Sequence, residues 1–149
     1  MTGVQTCALP ICHQAKAVFF VEGDNAAYQP ETIRAIVAAG QEIGNYTYVG
    51  TLQFQDLPVE AMLGQILRTQ KTIDTLTGRR PALFYAPRLR LTPMVLQAVT
   101  ATEAGEVVWP NVFAKRHTLH TSEEADAWAA TVPQGNIIAI PYSDRKSVV

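Results

Sequence analysis

The chain has 149 residues, 48% hydrophobic and 17% charged, which suits one globular domain with a core of its own. Its formal net charge is −1, with Lys and Arg scattered among the acids, so no basic stripe marks nucleic acid as a partner. No apolar run approaches the roughly 20 residues that a bilayer-spanning helix needs.

The first stretch, Met1 to Ile11 (MTGVQTCALPI), resembles a translated sequencing adapter, and Asp144 to Val149 (DRKSVV) resembles its counterpart. Both are expected to be tails outside the fold, which sets the domain at 12–143. Cys7 and Cys12 then say nothing about redox compartment or metal binding, and His13 beside the junction says little more.

Ala15 to Gly23 (AKAVFFVEG) is a β-branched and aromatic run closed by glycine, which predicts a buried strand. Pro30, then Ile33, Ile36 and Val37 at helical spacing, and Gly40 as a stop predict a helix. Glu42 to Gly50 (EIGNYTYVG) reads as the second strand. Pro58 to Leu76 places Met62, Leu63, Ile66, Leu67, Ile73 and Leu76 on one helical face, with Gly78 just past the end. Pro81 to Pro87 reads as a strand, Thr92 to Thr102 as a helix and Glu106 to Pro110 as a strand. Thr121 or Ser122 caps a helix with acidic residues in its first turn. Gly135 to Pro141 is an apolar strand. Five strands interleaved with four helices predict a mostly parallel α/β sheet, barrel-like or open, in one domain.

Ligands in such folds sit at the C-terminal ends of the strands. That directs attention to Glu22, Gly23 and Asp24; to Tyr46 through Gly50; to Tyr85 through Arg90; to Trp109 through Arg116; and to Pro141 with Tyr142. The rim so defined is rich in Tyr and Arg.

Taken together, AKAVFFVEG, the segment from Pro30 through EIGNYTYVG, the segment from Glu60 to Pro87 with its T-G-x-x-P, VVWPN and GNIIAIP resemble the polysaccharide deacetylase (NodB-homology, carbohydrate esterase family 4) domain. The resemblance covers nearly all of Ala15 to Tyr142. It implies a distorted, incomplete (β/α) barrel, with the acidic first-strand motif lying upstream of Ala15. It also implies metal-dependent hydrolysis of N- or O-acetyl groups on glycans such as chitin or peptidoglycan, with zinc the usual cofactor in active relatives. By the same resemblance, a glycan is the expected ligand and the cell envelope or an extracytoplasmic space the expected location. Oligomeric state stays open.

Carried across by position, the family's chemistry is missing. Its H-x-x-x-H metal pair falls on Tyr46 and Gly50, a phenol of pKa about 10 and a bare backbone. Its R-x-P-Y falls on YAPR, so Tyr85 replaces the arginine and Arg88 the tyrosine. Its tryptophan is kept as Trp109, but Lys115 and Arg116 stand where an acid and a second tryptophan belong. Pro141 takes the place of the catalytic histidine, with Tyr142 beside it. The glycines and apolar faces, by contrast, read intact.

The expected domain is therefore a deacetylase-like fold that holds no metal and performs no catalysis. Tyr46, Tyr85, Arg88 and Trp109 are its candidate saccharide contacts. The alternative is a glycan-binding, structural or regulatory module of a larger envelope protein. Plainer roles compete at each position: Tyr46 and Tyr48 as strand residues filling a wall, Arg79, Arg80, Arg88 and Arg90 as a solvated loop set, Trp109 as core. His117 and His120, three apart, would make a metal site with Glu123 or Glu124, but they miss the family's ligand positions and read as an exposed loop.

Overall fold

A computed structural model describes residues 16–50, 53–102, 105–114 and 121–140. Both expected tails, Lys115, Arg116, His117, His120, Pro141 and Tyr142 lie outside the described residues. The chain forms two compact units, the first ending at Val108 and the second beginning at Trp109.

In the first unit, β1 (Val18–Val21) is followed by two helices, α1 (Gly23–Tyr28) and α2 (Pro30–Ala38), and then by β2 (Glu42–Asn45). Helix α3 (Val59–Thr77) leads to β3 (Leu83–Phe84), and α4 (Pro93–Thr100) to β4 (Glu106–Val107). The four strands are all parallel and pair in chain order, β1-β2-β3-β4. Sequential order with a helix at each crossover is the wall of a (β/α) barrel, whereas a doubly wound sheet reverses direction at a switch point. Register runs from Val18 opposite Glu42 to Val21 opposite Asn45, then Asn45 opposite Phe84, then Leu83 and Phe84 opposite Glu106 and Val107. Among the described residues β1 has a neighbour on one side only, leaving Val18 and Phe20 on a free edge.

Local chemistry explains the helix ends. Pro30 opens α2, where its missing N–H is no loss, and Gly40 follows the helix at φ +73°. Gly78 closes α3 in the left-handed region at φ +69°. Thr92 caps α4 by accepting from the Val95 N–H at 3.2 Å.

Two packed clusters hold the sheet. Phe54, Met62, Ile66 and Phe84 are joined by Val95 and Val99 of α4 on one side. Ile33, Ile36, Ile43 and Ile73 form the other, with Phe19, Val21 and Val37 against it. Both clusters draw on α3, which is why its apolar face is the longest in the chain.

In the second unit, β5 (Val112–Phe113) and β6 (Ile138–Ala139) form a separate parallel pair around α5 (Ser122–Ala130). Helix α5 has the expected cap at Thr121, and it is reciprocal: the hydroxyl accepts from the Glu124 N–H at 3.2 Å while the Glu124 carboxylate accepts from the Thr121 N–H at 3.1 Å.

Several sequence expectations change. The strand expected over Glu42–Gly50 stops at Asn45, because Thr47 turns into the left-handed region at φ +72°. Helix α1 was not foreseen: six residues carry too little apolar periodicity to show. In α3, Leu67 is 45% exposed, while Thr69 and Gln70 are buried in its place. Trp109, a candidate saccharide contact for which core packing is the competing role, is 48% exposed, and the apolar run at β6 leaves Ile137, Ile138 and Ile140 exposed instead of lining a buried strand.

Candidate functional site

The C-terminal ends of β1, β2 and β3 deliver Glu22, Tyr46 and Tyr85, each one residue past its strand. Backbone pairing continues just far enough to fix them. The Tyr46 N–H donates to the Val21 carbonyl and the Tyr85 N–H to the Asn45 carbonyl, both at 3.0 Å.

Asn45 organises the turn that follows. It is fully buried, its amide Nδ2 donating to the Ile66 carbonyl of α3 at 3.0 Å and its Oδ1 accepting from the Thr47 N–H at 2.9 Å. The chain then folds back over α1, with the Gly23 and Asp24 N–H groups donating to the Thr47 and Tyr48 carbonyls at 3.0 Å. Val49 N–H is held by Gln65 Oε1 at 3.1 Å. These bonds tie the loop to β2, α1 and α3.

Beyond β3, the turn Pro87–Leu89 places Arg88 at φ 55°, ψ 19° and Leu89 at φ 55°. Among the described residues, the non-glycine positions with positive φ are Thr47, Arg88 and Leu89, and all of them flank this rim. Such conformations cost about 1–3 kcal/mol each and persist where surrounding structure over-determines them. Here the strained turn brings the Arg88 backbone and charge to bear on the Tyr46 phenol, where both favour its ionised form.

The rings form a tilted row. Phe20 and Tyr85 have centroids 5.4 Å apart at 45°, and Tyr85 and Tyr46 5.5 Å apart at 41°. Burial raises the Tyr46 phenol above its ordinary value and the charge of Glu22 raises it further, against the lowering influence of Arg88. Burial also raises Tyr85, with Tyr46 adding to it, and burial together with Asp24 raises the Glu22 carboxyl. Tyr46 and Tyr85 are therefore neutral phenols at pH 7.

The other loop tyrosine has different company. Tyr48 packs against Gly23, with the Arg68 guanidinium 3.8 Å over its ring, and the two line an open depression of about 330 Å³ with Gly64 and Gln65.

Of the candidates named from sequence, Tyr46, Tyr85 and Arg88 are brought together. Trp109 belongs to the second unit. Asn45 had no role in the sequence reading, although a polar residue closing an apolar strand was the available sign of a side-chain-tied turn.

A family model for polysaccharide deacetylases matches residues 11–106 of the chain. The chain belongs to the polysaccharide deacetylase family. It is 36% identical over 75 residues to the peptidoglycan-N-acetylmuramic acid deacetylase PdaC of Bacillus subtilis (strain 168), an alignment covering 50% of this chain and 16% of that protein. Its fold is similar to that of a CE4 family pseudoenzyme from Bacillus anthracis, with a TM-score of 0.74 at 20% identity over 89% of this chain and 46% of the other. It is similar also to a family 4 carbohydrate esterase from Streptomyces lividans, solved in complex with acetate, with a TM-score of 0.76 at 22% identity over 87% and 66%. The α/β architecture is thus that of the deacetylase (β/α) barrel, present in part.

The deacetylase metal pair can be tested directly against this rim. At the position the resemblance assigns to the first ligand stands Tyr46, a half-buried phenol whose proton the site retains. At the second stands Gly50, and a Cβ added there would lie 2.6 Å from Glu22 Cδ and closer still to Glu22 Oε1. A side chain at position 50 would oblige the Glu22 carboxylate, the far end of a flexible side chain, to turn away. Among the described residues no three His, Cys, Asp or Glu side chains group to hold a metal ion. The residues at these two positions do not fit a zinc ion.

Proposed function

We propose that this polysaccharide deacetylase-family chain binds a glycan without hydrolysing it. The carrying observation is the pair of residues at the positions the resemblance assigns to the metal ligands, Tyr46 held as a protonated phenol and Gly50 with no side chain. A hydrolase of this family needs a cation to activate water and polarise the acetyl carbonyl, and these side chains supply neither function. What remains is a rim of tilted rings and polar groups suited to stacking a pyranose face and bonding its hydroxyls.

The envelope is the proposed location, since the Bacillus subtilis relative is named for peptidoglycan and the family reads glycans. No described helix is long and apolar enough to cross a membrane.

Calorimetric titration with chitin oligosaccharides and soluble peptidoglycan fragments tests the reading. Saturable binding is expected, and Tyr46→Ala or Tyr85→Ala should each weaken it about fivefold, the value of a ring contact of about 1 kcal/mol. Absence of saturation with every glycan would reject the proposal.

A further inference from the structure

Glu22 has no counterpart in the chemistry just described. It leaves β1 half-buried, its Oε2 accepting from Asn25 Nδ2 at 2.6 Å, and its Oε1 fills the volume that a side chain at position 50 would take. Asn25 is a neutral donor. Among the described residues no Lys, Arg or His nitrogen lies within ion-pair distance of this carboxylate; the ion pair formed by such residues is Arg34 with Glu31, elsewhere on α2. The charged group felt most strongly by Glu22 is Asp24, of like sign, and its own charge acts on Tyr46, which pairs with the Tyr85 ring. Arg88 acts on Tyr46, through its backbone N–H and its charge, and its side chain is exposed.

A partly desolvated anion with a like charge beside it and no counter-charge among the described residues burdens the fold. A cationic ligand removes that burden. An ammonium group brings the missing charge and three N–H donors, and ring faces add a further attraction. An acetamide at the same place brings no charge, and its methyl group would strip water from the carboxylate without replacing it.

The geometry points to Glu22 as the specificity-determining residue of the rim, selecting saccharides that carry a free amine over their N-acetylated counterparts. This inference rests on the saccharide-binding reading above and specifies its ligand class. The preferred ligand is then a glycan already de-N-acetylated, the product of the reaction that active members of the family catalyse, so the domain acts after a competent deacetylase.

Matched titrations of the full chain with a glucosamine tetramer and an N-acetylglucosamine tetramer at about pH 6, where the amine is protonated, read this out. The amine-bearing tetramer should bind about tenfold more tightly, as a charge-assisted contact gives. In Glu22→Gln, which keeps shape and loses charge, the two affinities should converge to within about twofold, a change of a few tenths of a kcal/mol at most. A thermal melt of Glu22→Gln no lower than that of the parent shows that the variant is folded; a lower melt calls for Glu22→Ala, which must also lose the preference. A preference that survives in both variants reflects general charge attraction and overturns the assignment. If the acetylated tetramer binds and the parent shows no preference, the assignment fails while the saccharide site stands. If neither tetramer binds, both fall together.

Discussion

Replacing Asn45 with alanine is expected to destabilise the chain by about 2–6 kcal/mol, because two buried backbone groups lose their partners at about 1–3 kcal/mol each. Those groups are the Ile66 carbonyl of α3 and the Thr47 N–H. The effect should reach the rim as well as the core, since Thr47 sits at φ +72° only while Asn45 holds it, and Tyr46 lies between them. Urea denaturation measures the loss, and the glycan titration should fail in the same variant at temperatures where it remains folded. Retention of stability to within about 0.5 kcal/mol would show that water or a neighbour satisfies both groups without Asn45.

The second large effect is at Phe84. Its side chain is fully buried in β3, with the Phe54 ring 6.2 Å away and Met62, Ile66, Val95 and Val99 in the same cluster. Phe84→Ala should cost about 3–5 kcal/mol through lost burial and the cavity left behind. Domains of this size are stable by about 5–15 kcal/mol in total, so much of the cooperative transition should be lost. Phe84→Leu, which keeps most of the volume, should cost under about 1.5 kcal/mol. Equal losses in the two variants would mean that the residue acts through its ring contact and not by filling space.

The alternation of strand and helix was legible because it rests on short-range chemistry: apolar runs of strand length, helical spacing, Pro30 at an entry, Gly40 and Gly78 at exits. Its limits fall where long-range contacts override local pattern. Tyr46 and Tyr48 alternate as strand residues do, yet the buried amide of Asn45 ends the strand before them, and a single sequence does not display that reach to Ile66. Ile137 to Ile140 is apolar enough for a buried strand, but periodicity cannot say whether anything covers it. Tyr46, Tyr85 and Arg88 were placed on one rim by the rule that ligands meet the C-terminal ends of parallel strands. Glu22 was on that rim too, but its approach to Gly50 is a contact between distant positions and appears only in three dimensions. Gly50 reads from sequence as a lost ligand; in the structure the space beside its Cα is taken by the Glu22 carboxylate.

Acetate release from an N-acetylated chito-oligosaccharide, followed with zinc or cobalt added and again with chelator, tests the central claim most directly. The account predicts release no faster than in protein-free buffer under all three conditions, with glycan binding unaffected by chelator. Metal-dependent release that Tyr46→Phe abolishes would contradict it.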